Sequence, residues 1–261
     1  SRKKTSDDVA RVVAMNNSLA IHSLRKDDES KKSLFDVEKK LKLATQDKVK
    51  DKLTTQQKTG LDLNLTLLYI QMNKLSEARS KIQLIAQQMP SDSQIPVILE
   101  SALLLKEKKP KESVAVLQQF LNRHGDSGND HVLLTLAQIY LDLSDWANAA
   151  TILQRTSVRT NPSIVRLLTD MYKKTGDSKS QLNVLSTAIK YWQQEYERSK
   201  NEETKSKLVS TCLASAKLQE EQRKHREAAQ TYKTLAELDR NRSTEFYARM
   251  VNAMTNYDME E

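Results

Sequence analysis

Catalysis or metal binding would need reactive side chains that converge, and this sequence spreads them apart. Its four histidines are His22, His124, His131 and His225, and no two stand four apart as a helical zinc pair does. His124 and His131 come nearest to a ligand pair. They flank the loop Gly125-Asp126-Ser127-Gly128, which offers few further ligands for a metal ion. Gly125 and Gly128 are not followed by the Lys-Ser/Thr of a phosphate loop. The carboxylate runs Asp27-Asp28-Glu29 and Glu220-Glu221 read as solvated charge rather than as an acid–base pair. Cys212 is the only cysteine, so no internal disulfide is open to it and a reducing compartment is expected. It lies in the apolar stretch 208–218, where a thiol is expected to be buried rather than reactive. No catalytic residue, no metal and no cofactor is expected, and the chain is read as not being an enzyme.

Elements that are not positioning a reaction must serve something else. Only 4 Gly and 4 Pro occur in 261 residues, too few for turn-rich β architecture, so helices joined by short loops are expected. The charge is uneven. Residues 1–60 hold 15 Lys+Arg against 9 Asp+Glu, while the remainder holds 27 against 25. A basic entry segment of this kind is either a solvated linker or a contact for phosphate or an acidic partner. Arg2, Lys3 and Lys4 lead into Asp7 and Asp8 without an apolar core, which is unlike a signal peptide. The longest apolar run, 97–105, is broken by Glu100 and too short to span a bilayer. A cytoplasmic protein is expected.

A repeat runs through the chain. Five turns recur: Asn73-Lys74-Leu75, Lys108-Lys109-Pro110, Ser144-Asp145-Trp146, Thr175-Gly176-Asp177 and Arg223-Lys224-His225. After each stands an anchor, Ala78, Ser113, Ala149, Gln181 and Ala228, all small but Gln181. Twelve residues before each anchor a small residue recurs: Thr66, Ser101, Ala137, Thr169 and Ala216. Three residues further on, Tyr69, Tyr140 and Tyr172 supply a wedge, where Leu104 and Gln219 depart from the pattern. Anchors spaced 35, 36 and 32 residues apart match the helix–turn–helix period of about 34 residues in tetratricopeptide repeats. The last spacing, 47, points to one long helix over 178–200. The expected fold is an all-α, tetratricopeptide-type α-solenoid of about five helix pairs, running over 54–89, 91–124, 127–158, 161–198 and 202–238. A terminal helix near 244–258 follows. Residues 1–53 form an N-terminal helix (7–24) and basic linker, and 54–261 the repeat region.

In such arrays the first helices of the pairs make the inner wall. Three residues before, and one and four after, each small residue fall Leu63, Leu67 and Ile70; Ile98, Ala102 and Leu105; and Leu134, Gln138 and Leu141. A mostly apolar stripe normally marks something that covers it, so these nine residues form the candidate partner groove. The occupant is either a partner's amphipathic helix or extended peptide, or this chain's own residues 7–24. In the last two pairs the same positions become charged: Arg166, Asp170 and Lys173, then Leu213, Lys217 and Glu220. Lys31, Lys32, Lys39, Lys40 and Lys42 are the candidate RNA contacts of the basic front, continued by Lys48, Lys50 and Lys52. Phe35 is the only aromatic among them, a poor platform for base stacking.

The non-repeat front carries a more specific pattern: Val12-Val13-Ala14-x-Asn16-Asn17, then Phe35-Asp36-x-x-Lys39-Lys40-x-Lys42-Leu43, then Lys52-Leu53-Thr54-x-x-Gln57. With the repeats behind it, through Asn252-Ala253-Met254, the chain resembles the middle repeat region of the signal recognition particle seventy-two-kilodalton subunit family. The resemblance covers essentially all of the sequence. It implies a structural subunit of a cytosolic ribonucleoprotein that targets ribosomes making secretory proteins to the endoplasmic reticulum. It implies partnership with the sixty-eight-kilodalton subunit on the particle's RNA. The family's RNA-binding part is a lysine-rich tail with a Pro-Asp-Pro…Trp motif, so RNA is expected mainly through regions outside this sequence. An unrelated tetratricopeptide adaptor is the remaining alternative.

Overall fold

The computed structural model describes Phe35, Glu38, Lys39 and residues 53–258. The expected helix over 7–24 and Lys31, Lys32, Lys40 and Lys42 lie outside the described residues. Among those described, the chain is all-α. Its helices are α1 (Thr55–Gln71), α2 (Leu75–Gln88), α3 (Gln94–Lys106), α4 (Pro110–His124), α5 (Asp130–Asp142), α6 (Trp146–Gln154), α7 (Pro162–Thr175), α8 (Ser178–Ser199), α9 (Glu202–Glu221), α10 (His225–Leu238) and α11 (Ser243–Asp258). They fall into two compact units dividing between Gly125 and Asp126. The first holds the pairs α1/α2 and α3/α4. The second holds α5/α6, α7/α8, α9/α10 and the terminal α11.

Every pair turns through the same backbone device. Five residues before each anchor, Asn73, Lys108, Ser144, Gly176 and Arg223 adopt φ of 60, 62, 58, 74 and 56°. The next residue's N–H reaches back five residues: Lys74 to the Tyr69 carbonyl, Lys109 to Leu104, Asp145 to Tyr140, Asp177 to Tyr172 and Lys224 to Gln219, at 2.8–2.9 Å. A left-handed residue with this long bond is the Schellman ending, which satisfies carbonyls the helix leaves orphaned. The position noted in the sequence for its tyrosines is therefore the one whose carbonyl accepts that bond. Only one of the five left-handed positions is a glycine.

The small residues meet as their spacing predicts. Thr66, Ser101, Ala137 and Ala216 are buried, as are all five anchors. The two serine hydroxyls Ser101 and Ser113, twelve apart, are 2.8 Å from each other, and Ser113 also donates to the Ser101 carbonyl at 3.2 Å. Gln181, the anchor that is not small, donates its amide to the Thr169 carbonyl at 3.0 Å. Its bulk is accommodated by a bond rather than by close approach, and Thr169 is correspondingly only half-buried. The 47-residue spacing comes from two long helices, α8 with 22 residues and α9 with 20. On α8, Trp192 is buried and donates its indole N–H to the Thr160 carbonyl at 2.8 Å.

The start of the second unit is tied by two carboxylates. Asp126 accepts two bonds from the Arg155 guanidinium, at 2.6 and 2.9 Å, and Asp130 accepts from the Ser157 N–H at 2.8 Å and from its hydroxyl. Those bonds hold both carboxyls below their ordinary pKa of 3.8. A carboxylate with a depressed folded-state pKa stabilises the fold above its unfolded value and loses that contribution as pH falls through the folded one.

Three outcomes are expected. Gly176→Ala lowers stability by about 1–2 kcal/mol, whereas Arg223→Gly does not lower it, since only glycine occupies the left-handed region without steric cost; urea unfolding of both variants measures the difference. Ala149→Leu, which overfills the closest approach of α5 and α6, destabilises by about 1–3 kcal/mol in the same assay. Between pH 5 and pH 3 the double variant Asp126→Asn/Asp130→Asn loses less stability than the parent chain. The gap is modest because both carboxylates remain largely hydrated.

Candidate partner-binding surface

The nine stripe residues separate by burial. In the first unit α1 and α3 pack against each other. Their outward residues Leu67 and Leu105 are 44% and 38% exposed. Leu63, Ile98 and Ala102 beside them are half-buried. Leu63 and Ala102 rest on the core cluster of Tyr69, Ile82, Ile85, Leu99 and Leu103. Ile70 does not reach the surface: it is a member of that cluster at 8% exposure. It stands in the last turn of α1 and clusters with Ala78, Ile82 and Ile85 of α2 and Leu99 and Leu103 of α3, so its role is packing. The surface of this unit is thus a shallow apolar patch of five side chains.

In the second unit, α5 offers less. Leu134 and Leu141 are half-buried, and exposed Gln138 donates to the Asp142 carboxylate at 2.8 Å. Arg166, Asp170 and Lys173 of α7 are all exposed, with Lys173 paired to Glu221 of α9 at 3.4 Å. Glu220 accepts from the Tyr232 hydroxyl at 2.9 Å and so is partly engaged.

Sequence reading did not foresee how the front meets the first pair. Glu38 is 4% exposed and accepts from the Lys74 ammonium with both oxygens, at 2.6 and 2.7 Å. Lys74 also stands over the Phe35 ring, 5.4 Å from its centre. Lys74 lies in the turn between α1 and α2, thirty-six positions away in sequence. No periodicity links such distant residues, so nothing in the sequence could pair them. The motif Thr54-x-x-Gln57 has a local meaning: the Gln57 N–H donates to the Thr54 hydroxyl at 3.2 Å, and the Thr54 N–H to the Gln57 side chain at 2.9 Å. It is a capping box that starts α1. Lys39, of the basic front, is exposed.

The chemistry that could react is dispersed or sealed. His124 packs its ring on Phe120, centroids 4.6 Å apart, and His131 is exposed on α5. Among the described residues no group of three His, Cys, Asp or Glu side chains could hold a metal ion. Cys212 is 2% exposed, and burial pushes its thiol up to about 11. No helix among the described residues is long and apolar enough to cross a membrane.

Helix pairs with Schellman turns and small crossing residues define a tetratricopeptide-type repeat protein. No protein-family model matches the chain. It is, however, similar to the curated protein named Signal recognition particle subunit SRP72 from Dictyostelium discoideum, 29% identical over 90% of this chain and 36% of that protein. The human protein of the same name is 28% identical over 62% of this chain and 24% of its own length. The resemblance read from the front segment and the repeats is thus borne out by curated relatives from several species. The chain spans about a third of the Dictyostelium relative's length and about a quarter of the human one's. Among solved structures, a tetratricopeptide repeat protein from Parabacteroides merdae covers 94% of this chain and 99% of its own at 12% identity, with a TM-score of 0.43.

The buried thiol gives a direct check. Cys212 in the folded chain is expected to resist iodoacetamide at pH 8 and to react once the chain is unfolded in guanidinium, because only the thiolate attacks. Mass spectrometry of the alkylated Cys212 peptide reads the outcome.

Proposed function

We propose that this chain is a non-enzymatic, cytoplasmic protein-binding scaffold of the signal recognition particle. In that role it serves the targeting of secretory proteins to the endoplasmic reticulum. Support comes from the similarity to curated subunits of that name over 90% of the chain. The observation that carries the binding role is the apolar patch of Leu67 and Leu105, with Leu63, Ile98 and Ala102, on neighbouring first helices. A patch of this kind suits one face of an amphipathic helix or an extended peptide. The partner that the family resemblance implies is the particle's sixty-eight-kilodalton subunit. In this reading residues 1–53 are a lead-in and 54–261 the repeat region. Leu134, Gln138 and Leu141 of α5 are the candidate contacts of the second unit.

The test is co-purification with the sixty-eight-kilodalton subunit. Leu67→Glu/Leu105→Glu is expected to weaken capture by about tenfold or more, since a charge in a desolvated contact is costly. Capture equal to that of the parent chain overturns the patch as the contact. A chain lacking residues 1–53 that binds more tightly than the parent identifies residues 7–24 as a competing occupant.

A second reading rests on the charge concentrated in residues 1–60, 15 basic against 9 acidic. It assigns Lys31, Lys32, Lys39, Lys40 and Lys42 to direct contact with the particle's RNA. Phosphate contacts release counterions, so binding by this segment falls steeply with salt. An electrophoretic shift with the particle RNA at 50 and at about 200 mM salt checks it. A shift that disappears when residues 1–53 are removed supports this reading, and one that persists without them overturns it.

A further inference from the structure

In the first unit the end of α2, the loop that follows it, α3 and α4 enclose a cleft of 330 Å³. Pro96, Val97 and Glu100 of α3 line it. They lie about half a turn round that helix from Ile98, Ala102 and Leu105, so the cleft faces away from the apolar patch. On α4, Val116, Gln119, Phe120, Arg123 and His124 line it, recurring at three- and four-residue steps on one helix face. The floor is apolar, made by buried Val97 and Phe120 with half-buried Val116. The ends are charged, and oppositely. Arg123 and His124 are exposed at one of them, the His124 ring lying against Phe120. Ser101 meets Ser113, so α3 and α4 are antiparallel and half-buried Glu100 stands at the other end, beside Val116. Among the described residues, Glu100, Gln119 and Arg123 make no hydrogen bond or ion pair. In the same unit Lys81 and Asp62 pair between helices at 2.5 Å, as do Arg79 and Glu107 between neighbouring elements.

We propose that this cleft binds a short extended segment of another protein. An acidic residue of the segment meets Arg123 and His124, an apolar one rests on Val97 and Phe120, and a basic one meets Glu100. Charge complementarity sets that order, and the dimensions set the length. Val116 and Arg123 are seven residues apart, about 10 Å along a helix. An extended peptide advances about 3.3 Å per residue and turns alternate side chains to one face. Five residues in the order acidic, any, apolar, any, basic therefore span the cleft, with the flexible arms of Arg123 and Glu100 reaching to the ends. The volume agrees, since sites that enclose a whole small ligand begin at about 300 Å³ and this one is near that floor. A second copy of the chain fits less well. A stable dimer buries roughly 800 Å² per partner, which a cleft spanned by five residues does not supply. The site is separate from the patch of Leu67 and Leu105 and does not rest on it.

Fluorescence anisotropy at low salt tests this with two fluorescein-labelled peptides, Gly-Glu-Ser-Leu-Ser-Lys-Gly and the same peptide with lysine in place of glutamate. The first is expected to bind the chain about fivefold or more tightly than the second, which sets a cation against Arg123. Arg123→Glu is expected to reverse that order, a result that misfolding cannot produce. No binding of the first peptide at millimolar chain overturns the proposal, as does an order of affinities that Arg123→Glu leaves unchanged. A benzophenone side chain introduced at position 119, with no peptide present, reports other occupants. A crosslink to residues 1–52 of the same chain overturns the proposal in favour of the chain's own front, and a crosslink between two chains overturns it in favour of a second copy.

Discussion

The close approach of two helices across a gap of twelve residues is the constraint on which this fold depends. At Ala137 and Ala149, or Ser101 and Ser113, there is room for a methyl or a hydroxyl and little more. Only with small residues there do the larger ones on either side, Leu133, Leu136 and Tyr140 in α5, reach their neighbours and become buried. The turn serves the same constraint. A left-handed residue and its long back-bond reverse the chain in three residues and aim the second helix at the first.

That geometry divides the surface into what the pairs consume and what they leave. Residues at the crossing register are spent on the pair itself, and Ile70 joins them because α2 and α3 close over it. Residues beside them, such as Leu67, one after Thr66, and Leu105, four after Ser101, are left facing outward. An apolar side chain left partly exposed there contributes less to the pair's own stability than a fully buried one.

The helix pairs were legible in the sequence because they depend on local patterns. Small residues twelve apart, the five turns and the stretched fourth pair all came from spacing alone, and α1 to α11 stand where that spacing puts them. The candidate surface was legible only in part. Periodicity placed Leu67 of α1 and Ile98 and Leu105 of α3 on equivalent helix faces, but a face is not an exposure: whether Ile70 is wall or core depends on α2 and α3, which a helical wheel of α1 does not contain. Gln181 shows the same limit. By size it breaks the anchor pattern, and only the bond to the Thr169 carbonyl explains why the pattern survives it.

By itself, then, the sequence determined the class of fold, the register of its repeats and the resemblance to a signal recognition particle subunit. These are carried by residue type and spacing along one chain. Tertiary structure decided which apolar residues remain exposed and how Glu38 closes on Lys74. Each of these depends on residues from different helices arriving at one place. Burial and ion pairing are properties of that meeting, and no segment read alone contains them.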